Sequence, residues 1–381
     1  MRKEAATEAE KTRIREYKEI ELAEQREKRE NFRKLQRLPY GEKVNIAVAR
    51  ILEFYNVITS VHNANVHVSV GGLDSITLYI FVNKVLGELY GVKVKGVSAS
   101  TLEDKSIQQI HKELGIETVK PIKSKADVIK EHGYPVISKV VAGKIEKLQN
   151  PTDKNATVRH AIVTGETGAQ GGYRLQTRMK LPQKWLNLFA GAENEKYGTN
   201  YKQAPFKVSE KCCYYLKEKP CDEWAKKNNS FPYMGLMASE GGQRALALPV
   251  NGCNYISEKT KRSCPFAIFS RQDLLQLALD FDVPVPAIYG EIVKRADGTL
   301  YTTKAQRTGC SMCGFGVHLD KRPHHFDLLW QDNRKEWEFW LYTMEWGAVL
   351  DYIGVGWRNP DEVLERYRHS NAEQLMLDCA V

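Results

Sequence analysis

The sequence predicts an α/β fold: a parallel sheet flanked by helices. Two observations predict it. Segments of helical and strand period alternate from about residue 44 onward, and a pair of glycines joins one strand directly to the helix after it. No internal repeat interrupts this pattern.

The elements follow in order. Residues 1 to about 37 mix Lys, Arg and Glu densely and contain neither Pro nor Gly, which predicts an exposed helical arm held partly by i,i+4 ion pairs. From Val44 to Tyr55, the residues Val44, Ile46, Ala47, Val48, Ile51, Leu52 and Tyr55 recur at helical spacing. Val66, Val68 and Val70 then alternate as a strand. Ile76 to Leu86 repeats the helical pattern, Val92 to Val97 reads as a strand, and Ile107 to Leu114 as a further helix. Residues 140 to 205 are rich in Asn, Gln, Lys, Thr and Gly, with loop signals at Gly165–Gly172 and Gly191–Asn200, and read as an insertion over the sheet. A short helix is expected from Asp273 to Leu279. Val283 to Tyr289 holds apolar steps broken by Pro284 and Pro286, and the Trp-rich stretch from Trp330 to Trp357 reads as helical packing. The expected organisation is a charged arm (1–40), an α/β nucleotide-binding domain (41–300) with the insertion at about 140–205, and a cysteine-bearing segment with a helical region (301–381).

Composition narrows the class. With 381 residues and 42% hydrophobic content, the chain can bury a large core. No run of about 18 consecutive apolar residues and no apolar leader stretch is present, so the expectation is a cytoplasmic protein without a membrane partner. A reducing compartment makes the eight cysteines candidates for metal ligands or redox groups rather than disulfides. The net charge of +9, spread along the chain, is compatible with a polyanionic partner such as a nucleotide or nucleic acid.

Two groups of residues carry chemistry. The first is Ser69-Val70-Gly71-Gly72-Leu73-Asp74-Ser75, between a predicted strand and a predicted helix. Glycines there free the backbone to aim successive N–H groups and the helix N-terminus at an anion such as phosphate. Asp74 and Ser75 can cap the helix, and Ser75 can donate to a phosphate oxygen. Ser69, Gly71, Gly72, Asp74 and Ser75 are therefore the candidate nucleotide contacts, with Asp74 and Ser75 the candidate catalytic residues.

The second group is the adjacent pair Cys212 and Cys213 together with Cys310 and Cys313, a CxxC flanked by Gly309 and Gly314. Four thiolates suit zinc or an iron–sulfur cluster. Neighbouring Cα atoms lie about 3.8 Å apart and their side chains usually diverge. A vicinal pair thus reaches two irons of a [4Fe–4S] cluster more readily than one zinc ion; redox or buried thiols are the remaining reading.

The order of these motifs resembles the phosphoadenylyl-sulfate (PAPS) reductase family of PP-loop, Rossmann-like adenine-nucleotide proteins, and in particular its phage-type members with a CC…CxxC iron–sulfur motif. The string 70–75 is similar to the family's SGGxDS signature, with Val70 at the place of the first serine. Phe206 to Cys213 with Lys217 and Pro220 resembles one half of the cluster motif, and Arg307 to Lys321 the other. Gly235, Glu240, Arg244, Asn251–Asn254 and Pro265–Gly290 follow the family's order between them, so that the likeness covers about residues 40–345. The resemblance implies ATP or another adenylyl nucleotide, with Mg as an accompanying ion, over the turn, and a [4Fe–4S] cluster near its sulfate or phosphate end. It also implies PAPS reductase-like or ATP-dependent sulfurtransferase chemistry.

Arg244 and Arg307, with Lys139 and Lys211, are the cations expected to neutralise the nucleotide. A nucleic-acid substrate, a sulfur-donor protein and a homodimer complete the expected partners. The alternative is a non-catalytic iron–sulfur or zinc regulator that binds nucleotide or nucleic acid. Val70 favours it, because the missing hydroxyl removes a phosphate donor worth roughly 1–3 kcal/mol. So does Cys379, which lacks the Glu-Cys-Gly-Leu-His context of a reductase nucleophile. Cys253 and Cys264 stand outside both pairs; His318, His324 and His325 follow the CxxC and read as structural or exposed.

Overall fold

The computed structural model describes the backbone of residues 6–99, 101, 103–306, 308–311 and 313–379, and side chains as far as residue 369. It confirms the α/β class. The chain divides into two compact units: a sheet unit of Glu19–Ile122 with Leu216–Cys310, and a second unit of Met1–Lys18, Lys123–Tyr215 and Ser311–Val381. Each has its own apolar core. The segment expected as an insertion, about 140–205, falls within the second unit and contributes Ile145, Leu148, Ile162, Leu186 and Phe189 to that unit's core.

The strands, in chain order, are β1 (Asn65–Ser69), β2 (Lys95–Ser98), β3 (Glu117–Thr118), β4 (Val136–Ile137), β5 (Ser230–Met234), β6 (Asn254–Ile256), β7 (Lys261–Ser263), β8 (Ile292–Lys294), β9 (Leu300–Thr302) and β10 (Gly314–Phe315). In the sheet unit six of them form one sheet in the order β3-β2-β1-β5-β7-β6. All neighbours are parallel except β6, which returns antiparallel on β7. From β1 the chain builds outward through β2 and β3, then restarts on the other side of β1 with β5. The strand order therefore reverses between β1 and β5, and in open α/β sheets ligands bind beyond the carboxyl ends of the strands at such a reversal.

Helices cover this sheet for reasons visible in the sequence. The helix Leu73–Tyr90 buries Leu73, Ile76, Leu78, Phe81, Val82 and Leu86, and stops at Gly91, whose φ of 65° is the left-handed conformation that glycine adopts without strain. The helix Arg271–Asp280 starts on a capping box between Ser270 and Asp273. The helix Tyr40–Asn56 turns its Ala47, Ile51 and Phe54 into the core and continues through a π turn in which Ile58 does the same. Although no membrane span is expected from the sequence, Tyr40–Val61 is by length and composition long and apolar enough to cross one. That stretch also carries Lys43 in a buried ion pair with Asp273, and its apolar stripe faces the sheet unit's core. The charged arm forms the helix Glu8–Gln36, in which Phe32 is buried in the same core. Val283–Tyr289 forms no strand, because Pro284 and Pro286 withdraw the N–H groups a ladder would use.

In the second unit β4 pairs in parallel with β10, and a bridge joins Tyr134 to Val208. Around them pack the helices Lys125–His132, Lys139–Gln149, His325–Asp332 and Trp346–Ile353, with Trp337, Trp340 and Trp346 buried. The Trp-rich stretch is thus core packing, as its spacing predicts.

Candidate nucleotide-binding turn and cysteine centre

The strand β1 ends at Ser69, and Val70 continues its direction by donating its N–H to the Val97 carbonyl at 2.8 Å. The chain then turns through Gly71 and Gly72 into the helix Leu73–Tyr90. Ser75 braces the turn from inside: its Oγ accepts the Gly71 N–H at 2.6 Å and donates to the Gly72 carbonyl at 2.9 Å. The Leu73 N–H donates to the Tyr289 hydroxyl at 3.2 Å, and that hydroxyl meets Thr308 Oγ1 at 2.8 Å. The N–H groups of Gly72 and Asp74 remain as the donors of the turn and of the helix N-terminus.

Glycine is required at 72 by space, not by dihedral angle. Its φ of −77° suits any residue, but a Cβ there would sit 2.3 Å from the Tyr289 hydroxyl oxygen. Gly235, just past β5, is needed for a similar reason, since its Cβ would stand 3.0 Å from the Asp74 carbonyl oxygen. Two strands therefore bring backbone close to the same turn, at the reversal of strand order.

Asp74 points to Arg271, with which it forms an ion pair. Burial raises the Asp74 carboxyl above its ordinary value; Arg271 opposes that shift and Glu240 adds to it. Glu240 is itself paired with Arg244 and accepts the Met237 N–H at 3.1 Å. Arg244, a sequence candidate, thus lies in the sheet unit with its charge engaged by Glu240; Arg307 lies outside the described residues. Sequence reasoning missed Arg271, Tyr289 and Thr308. They lie in the stretches Pro265–Gly290 and Arg307–Lys321, but nothing in the spacing there marks their side chains as neighbours of the turn, to which the fold brings them from distant segments.

A pH-dependent prediction follows from this pair. In Arg271→Met the carboxylate of Asp74 would stand without its partner, and unfolding free energy at pH 7 should fall by about 1–2 kcal/mol. Asp74 already has a folded pKa above its unfolded one, so its ionisation opposes folding as pH rises. The deficit should therefore shrink as pH is lowered towards 3 and Asp74 becomes protonated in both states. Urea unfolding at both pH values measures it; a deficit independent of pH would refute the assignment.

The cysteines of the second unit sit on two segments that pair with one stretch of chain. Cys212 is buried and Cys213 half-buried in the short helix Lys211–Cys213, which begins two residues beyond Ser209, whose N–H donates to the Tyr134 carbonyl at 3.2 Å. Cys313 immediately precedes β10, which pairs with β4 at Val136 and Ile137. Both cysteine-bearing segments thus pair with the stretch 134–137. Cys310 is half-buried and is the last residue of the sheet unit by chain division. Among the described residues no group of three or more His, Cys, Asp or Glu side chains stands in an arrangement that could hold a metal ion. By type the four thiols suit an iron–sulfur centre, and His325, whose ring bonds the Cys313 backbone, leaves its buried Nε2 without a hydrogen bond. Buried polar groups of this kind call for a partner of opposite charge or polarity.

The other candidates have structural surroundings. Lys211 Nζ lies 2.5 Å from Glu146 Oε1, and Lys139 opens the helix Lys139–Gln149. His324 Nε2 donates to the Gly356 carbonyl at 2.9 Å beside Asp327, and His318 packs edge-on against Trp185. Cys253 and Cys264 are buried in the sheet unit's core; burial raises both thiols, Cys264 to about 12. The side chain of Cys379, at the end of the helix Pro360–Cys379, lies outside the described residues.

No protein-family model matches the sequence, and no curated protein matches it. Among solved structures, one match is the phosphoadenylyl-sulfate (PAPS) reductase from Candida auris in a phosphate complex, 10% identical with a TM-score of 0.32, over 77% of this chain and 98% of that one. A likeness at this identity and TM-score carries no argument about the activity of this chain.

Proposed function

We propose that this chain is a PAPS reductase-like enzyme that binds ATP or a related adenylyl nucleotide at the turn Gly71–Ser75 and carries out sulfur transfer or sulfonucleotide chemistry. The observation that supports it is the placement of a glycine turn and helix N-terminus at the reversal of strand order between β1 and β5. The choice of nucleotide rests on the string 70–75.

In this reading the N–H groups of Gly72 and Asp74 hold phosphate oxygens, helped by the positive end of the helix dipole. Arg271 holds the Asp74 carboxylate beside the turn, where that carboxylate would be the group to hold a Mg ion accompanying the nucleotide. On the sequence motif, Cys212, Cys213, Cys310 and Cys313 are the thiols that would hold a [4Fe–4S] cluster, although among the described residues they are not gathered as a metal site; such a cluster would supply a charged centre that tunes the electrostatics of the reaction. A nucleic-acid base or backbone as sulfur acceptor, with a sulfur-donor protein, is the thiolation form of the same reading.

The test begins with anaerobically purified protein. A brown chain with about four irons and matching sulfide is expected, losing its colour in Cys213→Ser and in Cys313→Ser. Incubation with ATP should then release AMP or pyrophosphate, or incubation with PAPS and a dithiol reductant should release a reduced sulfur product as the dithiol is oxidised to a disulfide. A colourless protein after reconstitution would remove the cluster, and binding without turnover would remove the enzyme. Binding without turnover is the outcome of the second reading, a non-catalytic regulator. What favours that reading is Val70, whose side chain is 6% exposed in the core and offers no hydroxyl to a phosphate.

A further inference from the structure

A buried histidine lies against the turn. His111, on the helix Lys105–Glu113, is 1% exposed, and its Nε2 lies 2.8 Å from the Gly71 carbonyl oxygen. A carbonyl only accepts, so Nε2 carries the proton and donates. Nδ1 is left with its lone pair, buried and without a partner. Burial holds the ring below its usual pKa, in keeping with a neutral imidazole. An unpartnered buried nitrogen costs stability, so an apolar residue would serve a purely structural position better.

The orientation of the peptide explains what His111 provides. The Gly71 carbonyl and the Gly72 N–H belong to one planar trans unit and point in opposite directions. Gly71 is held at both ends: its N–H by Ser75 Oγ and its carbonyl by His111. With the carbonyl drawn towards the helix Lys105–Glu113, the Gly72 N–H is turned away from it.

We propose that His111 is a positioning residue for the anion turn: its Nε2–H clamps the Gly71 carbonyl and thereby aims the Gly72 N–H at a phosphate oxygen of the nucleotide. This rests on the nucleotide reading above. The residue acts through backbone and touches no reacting atom. Its loss should weaken the phosphate contact to the same degree for any ligand that places a phosphate there.

The experiment is calorimetric titration of the full chain with inorganic tripolyphosphate and with ATP, comparing the wild type with His111→Leu and His111→Gln. His111→Leu should bind both ligands about tenfold more weakly, the effect of one misdirected hydrogen bond to a charged group. His111→Gln, which keeps an N–H donor, should recover most of that loss. If His111→Leu binds both ligands as the wild type does, the positioning role is overturned while the nucleotide reading stands. If the wild type binds neither ligand, both are overturned. Should His111→Leu fail to fold, the ¹⁵N spectrum of the wild-type imidazole decides: the proton must reside on Nε2, and an Nδ1–H tautomer ends the proposal.

Discussion

Lys43→Met is expected to lower the unfolding free energy by about 3–5 kcal/mol, because it leaves one carboxylate buried and unpaired. Lys43 Nζ lies 2.8 Å from Asp273 Oδ2, with side-chain exposures of 7% and 11%. Burial pushes the Asp273 carboxyl up, but hydrogen bonds from Lys43 and from Ser270 outweigh it, and the net value is lowered. A lowered folded pKa gives stability that is present above the unfolded value and lost as pH falls through the folded one. The Lys43→Met deficit should therefore be largest near neutral pH and narrow in acid. Asp273 also accepts the Ser270 N–H at 2.7 Å as part of the helix cap, so the informative companion is Lys43→Met/Asp273→Asn, which removes the charge and keeps an acceptor. That double variant should regain most of the loss. A single variant that costs less than about 1 kcal/mol in urea unfolding would show the pair to be poorly desolvated.

Gly72→Ala is the second large effect, and it separates space from conformation. The added methyl would stand 2.3 Å from the Tyr289 hydroxyl and 3.2 Å from Thr308 Oγ1, yet 3.5 Å from Tyr289 Cζ. Tyr289 is 4% exposed, so it has little room to withdraw. The expected cost is about 1–3 kcal/mol of stability. With both remaining N–H donors of the turn displaced, an accompanying loss of about a hundredfold in tripolyphosphate affinity is expected. Removing the hydroxyl opens the space, so Gly72→Ala in a Tyr289→Phe background should cost much less than in the wild type. Additive effects in this double-mutant cycle would mean that the tyrosine is not what excludes a side chain.

The first half of the sheet unit is legible in the sequence because local period and burial agree there. Val66 and Val68 alternate as β1 requires, and Leu73 to Leu86 repeats at the spacing of the helix that follows. The strand β5 is not legible, although it is central and pairs with β1 along its length, because Pro232 interrupts the pattern that marks a strand. The division into two units is hidden for a different reason. The apolar residues of 140–205 are spaced among polar loops, and their partners, such as Trp337 and Trp346, lie far along the chain. At the turn the glycines announce themselves, whereas Arg271, Tyr289 and His111 do not. A clamp on a backbone carbonyl or a hydroxyl filling the space over a glycine leaves no trace in sequence spacing.

Because β1 pairs with β5 from Asn65↔Ser230 to Ser69↔Met234, the order in which the chain is synthesised matters to how it folds. While β1, β2 and β3 have left the ribosome and Ser230 has not, β1 carries an open edge with unsatisfied N–H and C=O groups. The segment made in the interval, Lys123–Tyr215, cannot complete its own core until Ser311 and the residues after it arrive. A nascent chain read to its midpoint therefore holds two unfinished cores and an exposed β1 edge at once. Chains truncated before Ser230 should aggregate rather than fold, and the intact chain should gain protease resistance late in synthesis.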